Sequence, residues 1–259
     1  MNTSLTDALS LIGLPLAAGF LVLITHVPLG VQVLRRGIVF IDLAIAQIAA
    51  VGVILGGLLF DGGLGAFHGM VFALLGAGLI GILSRYWPQQ LEAVIGLIYV
   101  GAAAVSILAI SGDPHGALRL KSLLAGDILW VTPGLLWPLG VATALFALMV
   151  WRREALLSRD GVFYPVFAVL VSLSLPILGV YLVFAALIAP ALAVVGARRN
   201  ARSAATERPA YRAGVWVGGA GFTGGLLLAV YFDLPAGPAV VVTMVSLAIA
   251  SRLYNSVVD

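Results

Sequence analysis

Three polar side chains stand inside apolar runs of this sequence, and their types suit metal binding. Asp42 and Gln47 lie in RRGIVFIDLAIAQ, and His26 lies in LITHVPLG. Carboxylates and imidazoles bind divalent metal ions, whereas an amide oxygen is a weak ligand for zinc. An ionisable group in lipid is costly and usually faces a cavity or a partner. Asp42, His26 and Gln47 are therefore the candidate metal ligands.

Helical spacing separates Asp42 from Gln47. Residues five apart differ by about 140° around a helix, and the position one turn beyond Asp42 is Ala46. Asp42 follows Arg36 by six residues, which predicts a depth of about 9 Å along the helix. A second ligand must then come from another helix. His26 is the leading candidate, because its distance from the arginine pair predicts a similar depth.

Each candidate also has a structural alternative. Asp42 can reach the membrane surface or pair with Arg35 or Arg36. Gln47 can donate a hydrogen bond between helices, and His26 can be buried and hydrogen-bonded there. The sequence leaves these alternatives open.

The composition excludes a soluble fold. Of 259 residues, 62% are hydrophobic and 10% are charged, whereas soluble domains average about 25% charged residues. The net charge of +3 does not indicate a nucleic-acid partner, because the basic residues form short clusters between apolar runs. The chain has no cysteine, which excludes thiolate metal sites. These features predict an all-α, polytopic membrane protein with a single transmembrane domain over residues 1–259.

Eight or nine segments are long enough to cross a bilayer, which takes about 20 apolar residues. The first is expected to be retained, because MNTSLTDALS lacks the basic start of a signal peptide. The stretch 162–197 is too long for one span, and Pro176 and Gly179 predict a break. The candidate spans are 9–33, 38–60, 66–86, 91–111, 131–151, 162–178, 179–197, 213–232 and 236–254.

The basic residues predict the orientation in the cytoplasmic membrane. With the N-terminus outside and the C-terminus inside, only Arg119 and Lys121 of the fourteen basic residues fall on the outer side. The outer segment ALRLKSLLAGDILW is predicted to form a short amphipathic helix. The outer side also carries Asp61, His68, Asp113, His115 and Asp127. Asp113 and His115 could catch a cation, but a carboxylate and an imidazole are a common surface pair, and a loop role is expected for them.

Three segments resemble the permease subunits of ATP-binding-cassette importers for zinc, manganese or iron(II). They are RRGIVFIDLAIAQIAAVG, LKSLLAGDILWVTPG and LGVYLVFAALIAPALAV. The family's aspartate matches Asp42, and the resemblance implies a pathway role for it. The family's histidine four residues later falls at Ala46, so no histidine role is carried over.

The resemblance also implies partners that the sequence is compatible with. They are a second permease copy, cytosolic ATPase subunits and an extracytoplasmic metal-binding protein. Membrane lipid surrounds the permease. The chain has neither a GxxxxGK[ST] nucleotide loop nor an HExxH motif, so ATP hydrolysis is expected on a separate chain. The segment REALLSRDGVFYPVF is expected to hold the short helix that docks on the ATPase.

The sequence therefore predicts a transport subunit, not an enzyme, for a divalent metal such as zinc or manganese, with no cofactor bound by this chain. One alternative is a permease for a metal chelate or vitamin, favoured by the scarcity of buried ligands. Another is a secondary transporter or a membrane-embedded enzyme. That alternative would need paired carboxylates or a nucleophile–base set, which the apolar runs do not show.

Overall fold

The computed structural model of the chain describes residues 5–59, 65–111, 126, 128–200 and 208–258. These residues form helices and no strand, and each of the eight long helices has a stretch apolar and long enough to cross a membrane. The all-α prediction is confirmed. The helices are α1 Leu5–Arg36, α2 Ile41–Leu59, α3 Gly65–Tyr86, α4 Leu91–Ile110, α5 Pro133–Arg153, α6 Asp160–Asn200, α7 Arg208–Phe232 and α8 Ala236–Val258.

The helix α6 folds back on itself at Gly179, whose φ of 73° and ψ of 167° are not helical. Asp160, at the start of α6, bonds Arg36 at the end of α1. Leu187, in contrast, lies against Gly30, which is only about 9 Å from Arg36 along α1. A straight helix would hold residues 160 and 187 about 40 Å apart. The helix therefore has two antiparallel arms, α6a (160–178) and α6b (180–200), and the predicted break is confirmed.

Glycine makes this reversal possible at two places. Gly179 adopts a positive φ that side chains with a Cβ rarely tolerate. Gly126, also at positive φ, lies against the backbone of Leu178 and Gly179, where a Cβ would overlap it. Gly126, which precedes α5, thus packs on the bend of α6.

The two arms of α6 form the centre of the bundle. They pack against α1, α2, α3, α7 and α8, and 83% of their apolar stretch is buried. The corresponding stretches of α4 and α5 are 11% and 17% buried. Their outward side chains are nevertheless apolar, for example Leu97, Leu108 and Leu145. An apolar periphery around a closely packed centre is what lipid as a solvent requires.

A Schellman motif ends α1 and sets the start of α2. Gly37 has a φ of 66°, and its amide donates to Leu34 O while the Ile38 amide donates to Val33 O. The buried side chains of Ile38 and Val33 accompany these bonds. Since α2 begins only at Ile41, Asp42 lies in its first turn. The expected depth of about 9 Å was wrong, because the chain turns between Arg36 and Asp42 instead of continuing as one helix.

One end of the bundle collects the basic ends of three helices. Arg36 ends α1, Arg85 lies in the last turn of α3, and Arg153 ends α5. We call this the arginine-rich end, and the positive-inside rule predicts that it faces the cytosol. A short 3-10 helix, Glu154–Ser158, joins α5 to α6 there.

Most of the residues assigned to the opposite side lie outside the described residues: Asp61, Asp113, His115, Asp127 and most of the predicted amphipathic helix. A 3-10 turn at Ile128–Trp130 is described. His68 lies in the first turn of α3, half-buried and edge-on to Phe67.

Candidate functional site

Asp42 is a buried carboxylate without a partner among the described residues. Its side chain is 1% exposed, and neither Oδ1 nor Oδ2 has a hydrogen-bond partner. The two structural alternatives for this residue are therefore wrong: Asp42 neither reaches the surface nor pairs with Arg35 or Arg36. A carboxylate in such surroundings is stable only when a proton or a cation neutralises it.

The guanidinium of Arg36 is bound elsewhere. It donates to Gln32 Oε1 at 2.8 Å, to Leu157 O at 3.2 Å and to Ser158 O at 3.0 Å. It also bonds Asp160 Oδ1 at 3.3 Å and lies 4.1 Å from the ring centroid of Phe163. Arg36 thus joins the end of α1 to the connection between α5 and α6.

Glu92 brings a second carboxylate to the first turn of α2. It lies in the first turn of α4, and its Oε1 accepts a hydrogen bond from the Phe40 amide at 3.3 Å. Its Oε2 is buried without a hydrogen-bond partner. Glu92 is not among the candidate ligands predicted from the sequence. The available signal was its place at the start of the predicted span 91–111, on the same predicted side as Asp42.

His26 is fully buried in the middle of α1. Thr25 Oγ1 donates to Val22 O at 2.9 Å, so that it accepts from His26 Nδ1, also at 2.9 Å. This leaves the lone pair on Nε2, which is buried and has no partner. His26 is therefore hydrogen-bonded within α1, and its Nε2 keeps the capacity to bind a metal.

Gln47 forms a link between helices. Its Nε2 donates to Ser106 Oγ at 3.2 Å, which joins α2 to α4. Both side chains are buried: Gln47 is 4% exposed and Ser106 is 0% exposed. The alternative of an interhelical hydrogen bond is confirmed. Its role as a metal ligand stays a prediction.

No hydrogen bond joins the side chains of Asp42, His26 and Gln47 to one another. Along the helices, His26 lies about 15 Å from the arginine-rich end and Gln47 about 9 Å, whereas Asp42 lies at the start of α2. The described residues also contain no group of three or more histidine, aspartate or glutamate side chains that could hold a metal. The Glu92 carboxylate bonds the Phe40 amide just before Asp42, whereas His26 lies deeper than Asp42.

An apolar groove runs beside this region. It has a volume of about 550 Å³ and lies between α2, α4, α6b and α8. Leu43, next to Asp42, lines it together with Tyr99 of α4 and Tyr181 of α6b. One side of the groove is open, so a single chain does not enclose a passage.

The expected docking helix is a single 3-10 turn in the structure. Residues Glu154–Ser158 form it at the arginine-rich end, and α6 begins at Asp160 directly after it. Arg36 holds the last carbonyls of this turn. A movement of the connection would therefore reach the end of α1 and the turn that leads to Asp42.

The eight long apolar helices of the described residues, packed around a central reversed pair, define a multi-pass helical membrane protein. The chain matches the ABC 3 transport family over residues 10–159 and 156–255, and it belongs to that family. It is thus a permease subunit of an ATP-binding-cassette transporter. Its fold is similar to a solved chain of PsaBC from Streptococcus pneumoniae in complex with Fab, at 20% identity and a TM-score of 0.75, with 100% of both chains covered.

Proposed function

We propose that this permease subunit imports a divalent metal ion, zinc or manganese, and that Asp42 binds the ion on its path. The observation that carries the proposal is the burial of Asp42 with both oxygens unpaired in an otherwise apolar bundle. A cation passing this point would replace the missing partners. His26 and Gln47 are proposed as weaker contacts at greater depth, where Nε2 of His26 keeps its lone pair.

The transporter works as a dimer of permeases by alternating access. The open groove between α2, α4, α6b and α8 supports this, because a second copy would complete its wall. A separate cytosolic ATPase docks at the connection 154–158, and an extracytoplasmic protein delivers the metal. The N-terminus lies on the outer side of the cytoplasmic membrane and the C-terminus on the cytosolic side. The clustered arginines support the cytosolic position of the arginine-rich end, and the two arms of α6 give an odd number of crossings.

Metal uptake in cells that lack their own importer tests this role. Asp42→Asn keeps the side-chain shape and removes the charge, and we expect uptake to fall at least about tenfold. Asp233→Asn is the matched control, because Asp233 is exposed between α7 and α8 and asparagine tolerates its φ of 54°. Uptake by Asp42→Asn at the control level, with equal amounts of protein in the membrane, contradicts the proposed role.

A permease for a metal chelate or vitamin is the second candidate. The groove favours it, because its volume of about 550 Å³ and apolar lining suit an organic ligand better than a bare ion. Such a permease would carry its ligand equally well after Asp42→Asn. Uptake of free metal and uptake of a chelate, each measured with the wild type and with Asp42→Asn, therefore separate the two functions.

A further inference from the structure

We propose that Glu92 is the second carboxylate of the cation site at Asp42, and that the site suits a hard divalent cation such as manganese. The inference rests on the proposed function and adds a residue and an ion class to it. Glu92 and Asp42 belong to different helices, and the two helices begin side by side at the arginine-rich end. The site would thus be built between α2 and α4.

The link between the two carboxylates is the start of α2. Glu92 Oε1 accepts from the amide of Phe40, two residues before Asp42, at 3.3 Å. This bond satisfies one of the amides that a helix leaves free at its N-terminus. The bond occupies only Oε1, while Oε2 is buried and has no partner.

Asp42 supplies an independent indication of a ligand. Its side chain is 1% exposed and has two unpartnered oxygens, and the amide two residues before it is bonded to the Glu92 carboxylate. Two like charges close together in an apolar bundle repel each other, and a capping role for Glu92 gives no reason to place them so. A divalent cation between them removes the repulsion and satisfies three oxygens.

The available donors define the class of cation. Asp42 and Glu92 offer carboxylate oxygens, and the chain has no thiolate. The imidazole of His26 lies about 15 Å from the arginine-rich end and so does not complete this site. Sites built from oxygen donors suit manganese, magnesium and calcium, whereas zinc sites generally include nitrogen or sulfur.

Glu92→Gln separates a cation ligand from a helix cap. The amide oxygen of glutamine still accepts from the Phe40 amide, so the start of α2 is kept while the charge is lost. We expect manganese binding by the purified transporter complex, measured by equilibrium binding, to weaken at least about tenfold. Manganese uptake should weaken in parallel, with an unchanged melting temperature. Asp233→Asn, the same kind of change on the opposite side, should bind manganese as the wild type does.

Three results would overturn the inference, and they differ in what else they overturn. If Asp42→Asn loses manganese binding and Glu92→Gln retains it, Glu92 is only a cap and the importer function stands. If the wild-type complex binds zinc but not manganese, the ion class is wrong. A wild-type complex that binds neither metal removes the proposed function as well.

Discussion

Replacing Arg36 should loosen the arginine-rich end more than any other single arginine change there. Arg36→Ala removes bonds to Gln32 Oε1, Leu157 O and Ser158 O, contact with the ring of Phe163, and the ion pair with Asp160. The bond to the buried Leu157 contributes about 1.5 kcal/mol and the bond to the exposed Ser158 about 0.5 kcal/mol. The bond to Gln32, one turn away in the same helix, contributes about 0.3 kcal/mol. The ring contact adds about 0.5 kcal/mol. Asp160 is 48% exposed, so solvent screening limits the ion pair to about 0.5 kcal/mol.

The sum is about 3 kcal/mol, or a decrease of about 6–10 °C in the melting temperature in a fixed detergent. Arg36→Lys should lose about half of this, because an ammonium keeps the charge and cannot make the forked contacts. Arg152→Ala is the matched control, an exposed arginine at the end of α5 that should shift the melting temperature by about 1 °C. Equal shifts for Arg36→Ala and Arg152→Ala would refute the view that Arg36 joins α1 to the connection 154–158.

Two further predictions concern packing between helices. Gln47→Leu should lower stability by about 0.5–1.5 kcal/mol in a melting experiment, because the bond to Ser106 links α2 to α4. It should reduce uptake less than Asp42→Asn does, because Gln47 is proposed only as a weaker contact of the ion. Loss of uptake with unchanged stability would instead favour the metal-ligand role of Gln47. Gly30→Ala should destabilise by about 2 kcal/mol or more, because its Cβ would overlap Leu187 O on α6b. Gly13→Ala is the control in the same helix, because a Cβ at Gly13 would have no atom within 4 Å. Equal losses of stability in the two variants would contradict close packing at Gly30.

Hydropathy predicted the helices closely. The predicted span 91–111 became α4 at Leu91–Ile110, and 66–86 became α3 at Gly65–Tyr86. The break in 162–197 was predicted from Pro176 and Gly179, and Gly179 adopts the non-helical conformation. These features are local: each depends on the length of an apolar run or on the conformational range of one residue.

The sequence was less informative about the site. It singled out Asp42 because a carboxylate in an apolar run is unusual, and the structure finds that residue buried without a partner. It placed Asp42 too deep, because a helical rise was counted from Arg36 onwards although residues 37–40 form a turn and α2 begins at Ile41. It overlooked Glu92, since an acid at the start of a span ordinarily lies at the membrane surface.

The sequence by itself therefore determined that this chain is a multi-pass helical membrane protein, where its helices lie, and that Asp42 is its most unusual residue. Only the tertiary structure decided that α6 folds back on itself, that Arg36 binds Asp160 and not Asp42, and that Glu92 bonds the Phe40 amide at the start of α2. The reason is physical. Apolar content is a property of each segment, whereas the neighbours of a polar side chain depend on where helices end and how they are packed against each other.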